Sequence, residues 1–585
     1  MKLTVSKSKN SASLYVTKSF YNKGTRTSKI VEKLGTEAQL REKLDGGDPY
    51  EWAKTYVADL NAKEKKSKEK NRDIIVKYSP AKQIPKGQQR SYNGGYLFLQ
   101  RVYHALGLDK LCGVISKKHK FEYDLNSILS RLVYSRIIYP ASKRATLELS
   151  KRFIEQPDFD LQHIYRALSV IAEEMELVQM ELYKRSFSLS KRNTGVLYYD
   201  CANFFFEIEQ EDGLKQYTAN AKDHKPNPVV QMGLFLDGDG IPLAFNITEG
   251  NKNEQITLRP LEEKIIRDFG LAKVIVCTDA GLCSHDNKLF NSMGERSFVT
   301  TQPIKKLEAY LKGWVLFSEG WKLPGSDKEY DIGDLYRDKD DPDALSKEEY
   351  MDKVFYKERW IKKKGLEQRL IVTFSLKHRN YQRNIRGRQV ARARKLIEKN
   401  PGKLKKPRPN DYKRFIVKKS VGADGKEAKK TLLSIDEGLI SKEEIYDGFY
   451  AVCTDLTDDV VEIVKINKGR WEIEESFRIM KHEFKARPVH LRKDDRIAAH
   501  FTTCFIALVI FRYLEKLLGG RYTCDEIVRA LRLMDFLEVK GEGYIPSYTR
   551  TDLTDDLHIV LGHRTDYEIV TTRQMREACR AAKRK

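Results

Sequence analysis

The chain has 585 residues and carries 107 Lys and Arg against 83 Asp and Glu, a formal net charge of +24 at pH 7. With 41% hydrophobic and 32% charged residues it is excluded from the wholly disordered class, and its length points to two to four structural units around sizeable cores. The cationic excess attracts polyanions and favours phosphate contacts with counterion release, so nucleic acid leads as partner class over a basic protein with no such partner. Lysines in MKLTVSKSKN stand where a secretion signal needs an apolar run. The longest apolar stretch, Cys504 to Phe511, is stopped by Arg512 far short of a bilayer-spanning length. The expectation is a protein that stays inside the cell, in the cytoplasm, with no membrane partner. The eight cysteines are scattered, with no CxxC pair, which suits reduced core residues rather than a zinc ribbon or disulfide framework.

In chain order, SLYVTKSFYN and TSKIVEKLG flank a turn at Asn22 to Thr27 and predict a short basic β-hairpin. The lysine-rich run near residues 63–71 reads as a solvated helix face or linker, so residues 1–85 form a basic hairpin-and-linker segment. From Gly94 to about Ser190 the pattern is helical: Leu99, Val102 and Leu106 share a face, and Leu125, Ile128, Leu129, Leu132 and Val133 follow a candidate cap at Asp124. Residues 86–190 are read as a helical DNA-binding region.

Four strand-like runs follow within residues 191–302: VLYYD, NPVVQMGLFLDGDGIPLAFNI, KVIVCTD and RSFVTT. The DGDG turn at Asp237 to Gly240 joins two antiparallel strands, and the turn accounts for Asp237 and Asp239. Residues 303–447 are basic and irregular, with candidate strands RLIVTFS and RFIVKK around an arginine-rich helix, and are read as an insertion. Strand character returns at GFYAVCTD, followed by helical runs from Val461 through Phe484 and from Arg496 to Leu518, within a segment of 448–520. The tail, 521–585, has a mixed pattern and is a candidate for dimerisation.

Asp200 and Asp279 both end short β-rich apolar runs, where a sheet holds a carboxylate rigidly beside solvent. Cleavage of a phosphodiester is fastest when two divalent cations bracket the scissile phosphate, and hard cations such as Mg²⁺ need oxygen ligands converging from separate elements. A third carboxylate is available on the run NKGRWEIEESFRIMKHEFKARPVHLR. At 100° per residue, Glu474 lies about 40° and Lys481 about 20° from Arg470, so the three would share one face and the two cations would grip phosphates beside the metal site. A solvated amphipathic surface helix has the same spacing.

This helix resembles the signature of bacterial DDE insertion-sequence transposases of the insertion-sequence-four group, whose pattern is Tyr, two residues, Arg, three residues, Glu, six residues, Lys. Arg470, Glu474 and Lys481 fit those intervals, and Asn467 stands at the tyrosine position. The resemblance extends in order through YYDCANFFFE, YTANAKDHKPNPVVQMGLFLD, IPLAFNITEGNKNEQITLRPL and VIVCTDAGL. It implies an α/β fold with a ribonuclease-H-like catalytic core interrupted by a β-containing insertion, and an N-terminal helical DNA-binding region. It also implies catalytic and metal-binding Asp200, Asp279 and Glu474, Mg²⁺ with Mn²⁺ as a substitute, and DNA contacts at Asn467, Arg470 and Lys481. The implied partners are double-stranded DNA, as terminal inverted repeats and target, and a second copy in a synaptic dimer.

Weaker signals are Asp223 and His224 in KDHKPN, which suit DNA or water orientation as well as an ordinary turn. Trp360 in ERWIKKK suits either stacking on an unpaired base or core packing. The alternatives to a transposase are another ribonuclease-H-like nuclease that does not join strands, and a catalytically inactive, transposase-derived DNA-binding protein.

Overall fold

In the computed structural model, which describes residues 1–8, 11–22, 25–70, 73–76, 78–218, 227–282, 284–337, 345–399, 411–419 and 432–584, the chain divides into two units, Met1–Gln88 and Gln89–Lys585. The first has antiparallel strands β1 (Lys2–Ser8), β2 (Ser11–Asn22) and β3 (Thr25–Thr36) and helices α1 (Glu37–Lys43) and α2 (Pro49–Lys70). The expected hairpin is β2–β3, with β1 added along β2. Thr36 and Gln39 close a capping box at the start of α1, and Leu14, Leu40 and Ala53 form a small core.

The second unit opens with β4 (Ser91–Asn93) and helices α3 (Tyr96–Ala105), α4 (Leu108–His119), α5 (Leu125–Ile138), α6 (Lys143–Ser150), α7 (Leu161–Glu173) and α8 (Met175–Ser186). Asp124 caps α5 by accepting from the Asn126 N–H at 2.8 Å. Every residue of α5 except Leu125's neighbour Asn126 is buried. A helix buried all round belongs in the middle of a core, and α3, α5 and α7 accordingly share one core with the sheet described next rather than standing as a separate module.

That sheet is built from β5 (Val196–Phe205), β6 (Val229–Asp237), β7 (Pro242–Glu249), β8 (Ile275–Thr278) and β9 (Ser297–Thr301), with α9 (Glu254–Phe269) and α10 (His285–Asn291) as crossovers. β5, β6 and β7 form an antiparallel meander, while β8 pairs parallel to β5 and β9 parallel to β8, giving the order β7-β6-β5-β8-β9. After α11 (Ala309–Leu316) come β10 (Trp321–Lys322), β11 (Glu329–Tyr330), β12 (Phe355–Lys363), β13 (Leu366–Phe374), α12 (Leu376–Lys399), β14 (Ile416–Lys419), β15 (Leu432–Ile435), α13 (Glu437–Glu444) and β16 (Phe449–Thr454). The candidate strands RLIVTFS and RFIVKK fall on β13 and β14, and the stretch read as an insertion extends the sheet. β16 pairs with β9, β13 with β16 and β12 with β13, making ten strands in the order β11-β10-β12-β13-β16-β9-β8-β5-β6-β7. Of this stretch, β14 and β15 form a ribbon of their own.

The chain continues through α14 (Val460–Lys468), α15 (Trp471–Arg478), α16 (Asp494–Leu517), α17 (Cys524–Leu533), β17 (Asp535–Val539), β18 (Gly543–Pro546), α18 (Asp552–Leu561), β19 (Val570–Thr571) and α19 (Thr572–Ala582). By length and composition α16 is apolar enough to cross a membrane, but 94% of its apolar window is buried inside the protein, as a core helix requires. The tail pairs back onto the start of this unit: β17 joins β4, and the Asn93 side chain donates to the Leu531 carbonyl at 3.0 Å. The seven described cysteines are all unbridged, and six of them are buried.

At the DGDG turn, Asp237 Oδ1 accepts from the backbone N–H groups of Asp239 and Ile241, and its other oxygen meets Arg192. Arg192 also donates to Ser186 Oγ and to the carbonyls of Ile241 and Pro242, and both charged side chains are excluded from solvent. Removing one partner of such a pair leaves a buried charge uncompensated. Arg192→Met should destabilise the unit by about 3–5 kcal/mol, read as a lowered denaturant midpoint; a midpoint equal to the wild type's would show that the pair does not anchor the β6–β7 turn.

Candidate active site

Side chains alternate along β5, so Leu197, Tyr199 and Cys201 enter one core and Tyr198, Ala202 and Phe204 the other. By the same alternation Asp200 belongs to the second set. On β8, Val276 enters the first core and Cys277 the second, which gives Asp279 the same face as Asp200. The parallel register pairs Tyr198 with Cys277 and ends with Tyr199 opposite Thr278, and carrying that register one residue further would set Asp200 opposite Asp279, just past the end of β8. Both residues are half-buried, but only Asp279 stands at a strand end, directly after β8; Asp200, expected at the end of its strand, lies in the middle of β5 because the apolar run CANFF continues the strand to Phe205.

Asp279 Oδ1 accepts from the Gly281 and Leu282 N–H groups at 2.9 and 3.0 Å, which fixes the carboxylate and leaves Oδ2 with no hydrogen-bond partner among the described residues. Asp200 Oδ1 accepts from the Cys201 N–H at 2.7 Å. Two hard-oxygen donors on adjacent strands, each held by backbone, fit an oxygen-seeking divalent cation.

Helix α15 lies on this same face, with Ile473 and Phe477 in the core that holds Tyr198. Its approach depends on Gly469, where a Cβ would fall 2.1 Å from Tyr198 Oη. Arg470 follows, with Nη2 3.5 Å from the Glu474 carboxylate and a buried Nε that has no partner. Burial pushes the Cys277 thiol up to about 12 against the opposing influence of the Arg470 charge, which places that guanidinium near the aspartate strand. Glu474 is 61% exposed. Its neighbours are engaged elsewhere: Glu472 with Arg512, and Glu475 and Glu483 with Arg478.

The expected continuous helix from Val461 to Phe484 is interrupted twice, at Gly469–Arg470 and by a single π turn at Ile479–Glu483, closed by the Phe484 N–H to the Ile479 carbonyl at 3.0 Å. A π turn holds more residues per turn than an α turn, so the 20° relation of Lys481 to Arg470 does not carry through. Lys481 nevertheless reaches the aspartate face, with Nζ 5.4 Å from the centre of the Phe204 ring on β5.

Not every expected site residue converges. Among the described residues, the one trio of His, Cys, Asp or Glu whose ligand atoms lie within 4.8 Å of one another is His119, Glu173 and Glu174, so Asp200, Asp279 and Glu474 do not close to that spacing. Within that trio, the buried Glu174 is already paired with Lys118. Asn467 is buried, its amide donating to Tyr450 Oη at 3.0 Å and accepting from Thr301 Oγ1 at 3.4 Å, so it faces inward rather than toward a DNA strand. Trp360 stands 46% exposed on β12, not in a core. Asp223 and His224 lie outside the described residues.

Sequence reasoning missed Tyr450 and Thr301, and it missed a cavity of about 650 Å³ floored by Ile371 and Val452 and edged by His378, Tyr381, Asn467 and Lys468. Its floor continues the row that contains Asp200 and Asp279, because Val452 pairs with Thr301 and Ile371 with Val452. No local motif announces it, since the strands that meet there are distant in the chain.

The family model described as "Transposase DDE domain" matches residues 204–510, just over half of the chain. The match takes in Asp279 and Glu474 and begins four residues after Asp200. A search of curated proteins found no match. Among solved structures, a cryo-EM piggyBac transposase synaptic complex with hairpin DNA aligns with 85% of this chain and 88% of that chain, at 8% identity and a TM-score of 0.33, too weak a likeness to carry an argument.

The close approach at Gly469 can be tested directly. Gly469→Ala must push α15 off β5 at a cost of about 1–3 kcal/mol, whereas Gly113→Ala, an exposed helical site with open space, should be neutral or stabilising. Thermal midpoints of the two variants check this, and equal midpoints would mean that α15 is not seated by Tyr198.

Proposed function

Because the chain belongs to the family that carries the transposase DDE domain, we propose that it is a DNA transposase of the insertion-sequence-four type, which binds terminal inverted repeats and catalyses metal-dependent cleavage and strand transfer. The observation that carries this reading is the parallel pairing of β5 with β8, whose last pair, Tyr199 with Thr278, is followed in each chain segment by an aspartate, Asp200 and Asp279. The order β7-β6-β5-β8-β9, with three strands antiparallel and two parallel to β5, is the arrangement expected of a ribonuclease-H-like core and supports the same reading.

In this reading Asp200, Asp279 and Glu474 hold the cation. A divalent cation held there, Mg²⁺ or Mn²⁺, would supply activation of the attacking oxygen and charge stabilisation of the leaving one. Glu474 must first leave Arg470, and a pair at 3.5 Å whose carboxylate is 61% exposed is worth little. A DNA phosphate arriving at the face takes over the guanidinium and frees the carboxylate. Arg470 and Lys481 bind phosphates flanking the scissile one, Asn467 keeps the entrance to this helix in place through Tyr450 and Thr301, and Trp360 offers an aromatic face to an unpaired base. Cleavage of two ends together calls for a homodimer in the synaptic complex, acting on DNA in a prokaryotic cytoplasm.

The test is a nicking assay on a labelled inverted-repeat end taken from DNA flanking the reading frame, run beside a gel shift. Asp200→Asn, Asp279→Asn and Glu474→Gln should each lose cleavage by several orders of magnitude while binding stays nearly intact. Mg²⁺ or Mn²⁺ should support the wild-type reaction and Ca²⁺ should allow assembly with little cutting. Glu474→Gln nicking near the wild-type rate would remove Glu474 from the metal set. DNA binding with no cutting by the wild type under any of these cations would favour an inactive DNA-binding protein.

Salt dependence tests the two cations separately. Arg470→Ala and Lys481→Ala should each weaken end binding across sequences and make the slope of log affinity against log salt shallower by about 1. Unchanged slopes in both variants would leave the two residues with a purely structural role.

A further inference from the structure

A second cavity, of about 250 Å³, lies between the α5–α6 junction and the segment that follows the π turn. Arg136, Lys143, Lys485, Arg487, His490 and His500 line it, and no carboxylate does among the described residues. Lys143 is 5% exposed and its Nζ has no hydrogen-bond partner among the described residues. Arg136, also buried, donates to the carbonyls of Phe484 and Ala141, at 3.1 and 3.4 Å, and its Nε has no partner. A buried, unpaired ammonium beside a buried guanidinium is an arrangement that protein folding disfavours unless an anion completes it.

Electrostatics follow from that geometry. Burial first, and then the Arg136 charge, bring Lys143 down to about 7. Burial holds His500 well below its ordinary value, and its Nε2 lies 3.0 Å from the Ala486 carbonyl. The site therefore holds more cationic capacity than the protein itself satisfies.

We propose that this cavity is a binding site for a phosphate group, with Lys143 and Arg136 as its buried donors and Lys485, Arg487 and His490 at its mouth. A tetrahedral anion suits several converging N–H donors, and the cavity exceeds the roughly 30 Å³ share of one water molecule several-fold. The site is distinct from the aspartate rung. Its Val489 N–H donates to the Phe205 carbonyl at 3.0 Å, so the mouth segment runs along the end of β5, five residues or about 17 Å beyond Asp200. The phosphate can come from a DNA backbone or from a free anion, and the experiment separates the two sources.

The full-length protein is heated in sodium phosphate and in sodium chloride of matched ionic strength, and Lys143 is followed by reductive methylation and mass spectrometry. Phosphate should raise the midpoint by about 3 °C and, at saturation, slow methylation about tenfold, because a bound anion keeps the amine protonated. Lys143→Met should abolish the phosphate-specific rise. Should that variant fail to fold, Arg487→Gln should weaken the phosphate effect several-fold. The second arm replaces phosphate with a short DNA duplex. Protection of Lys143 at duplex concentrations far below the effective phosphate concentration assigns the site to a DNA backbone phosphate, whereas protection by phosphate alone assigns it to a free anion. Absence of protection and of a midpoint rise in both arms overturns the proposal. The duplex arm rests on the transposase reading and the phosphate arm does not, so protection by phosphate without protection by the duplex keeps the cavity as a free-anion site, while the nicking assay and gel shift decide the transposase reading separately.

Discussion

A one-residue slip in the parallel ladder between β5 and β8 would turn Asp200 or Asp279 to the opposite face of the sheet, because side chains alternate with a period of two. The ladder is protected against that slip from both sides. Tyr199 and Cys201 are locked into one core, and Tyr198, Ala202 and Cys277 into the other, so any shift would exchange buried groups for half-exposed carboxylates. The candidate chemistry thus inherits its precision from hydrophobic packing on two faces rather than from bonds made by the carboxylates themselves. Antiparallel β6 and β7 on one flank and parallel β9 on the other keep both strands internal to the sheet.

The helix over this rung is positioned by a different set of forces. Ile473 and Phe477 press it onto β5, and Gly469 permits the approach. Arg512 then ties it from below: this residue, which ends the longest apolar run in the chain, is buried on α16 and meets both the side chain and the backbone carbonyl of Glu472. Helix α16 therefore supports α3, α5 and α7 on one side and the glutamate-bearing helix on another, which joins the N-terminal helices to the site in one cooperative core.

Positive charge is distributed unevenly through this framework. Some arginines are satisfied within the fold, as Arg192 is by Asp237 and Arg386 by Asp447. Others, Arg470 and the Arg136–Lys143 pair, keep buried nitrogen atoms without hydrogen-bond partners among the described residues, the latter pair at a cavity. The distinction matters because net charge alone raises the concentration of polyanions around the whole surface, whereas an unsatisfied buried donor marks a particular place for one.

Much of this was legible in local sequence. The β-branched and aromatic runs at VLYYD, KVIVCTD and RSFVTT, the DGDG turn and the Asp124 cap specify their own local geometry through side-chain sterics and short-range hydrogen bonds, and so the strand-end placement of Asp279 followed from the chain alone. The spacing of Arg470, Glu474 and Lys481 was equally visible. What tertiary structure decided is everything that depends on pairing between distant segments: that β12 and β13 extend the sheet that carries Asp200, that Tyr450 and Thr301 close on Asn467, and that β17 pairs with β4. Periodicity reports which face of an element is apolar but not which partner covers it. For the same reason the π turn that reorients Lys481, the exposed position of Trp360 and the cationic cavity around Lys143 arise from packing between elements and have no signature in any one of them.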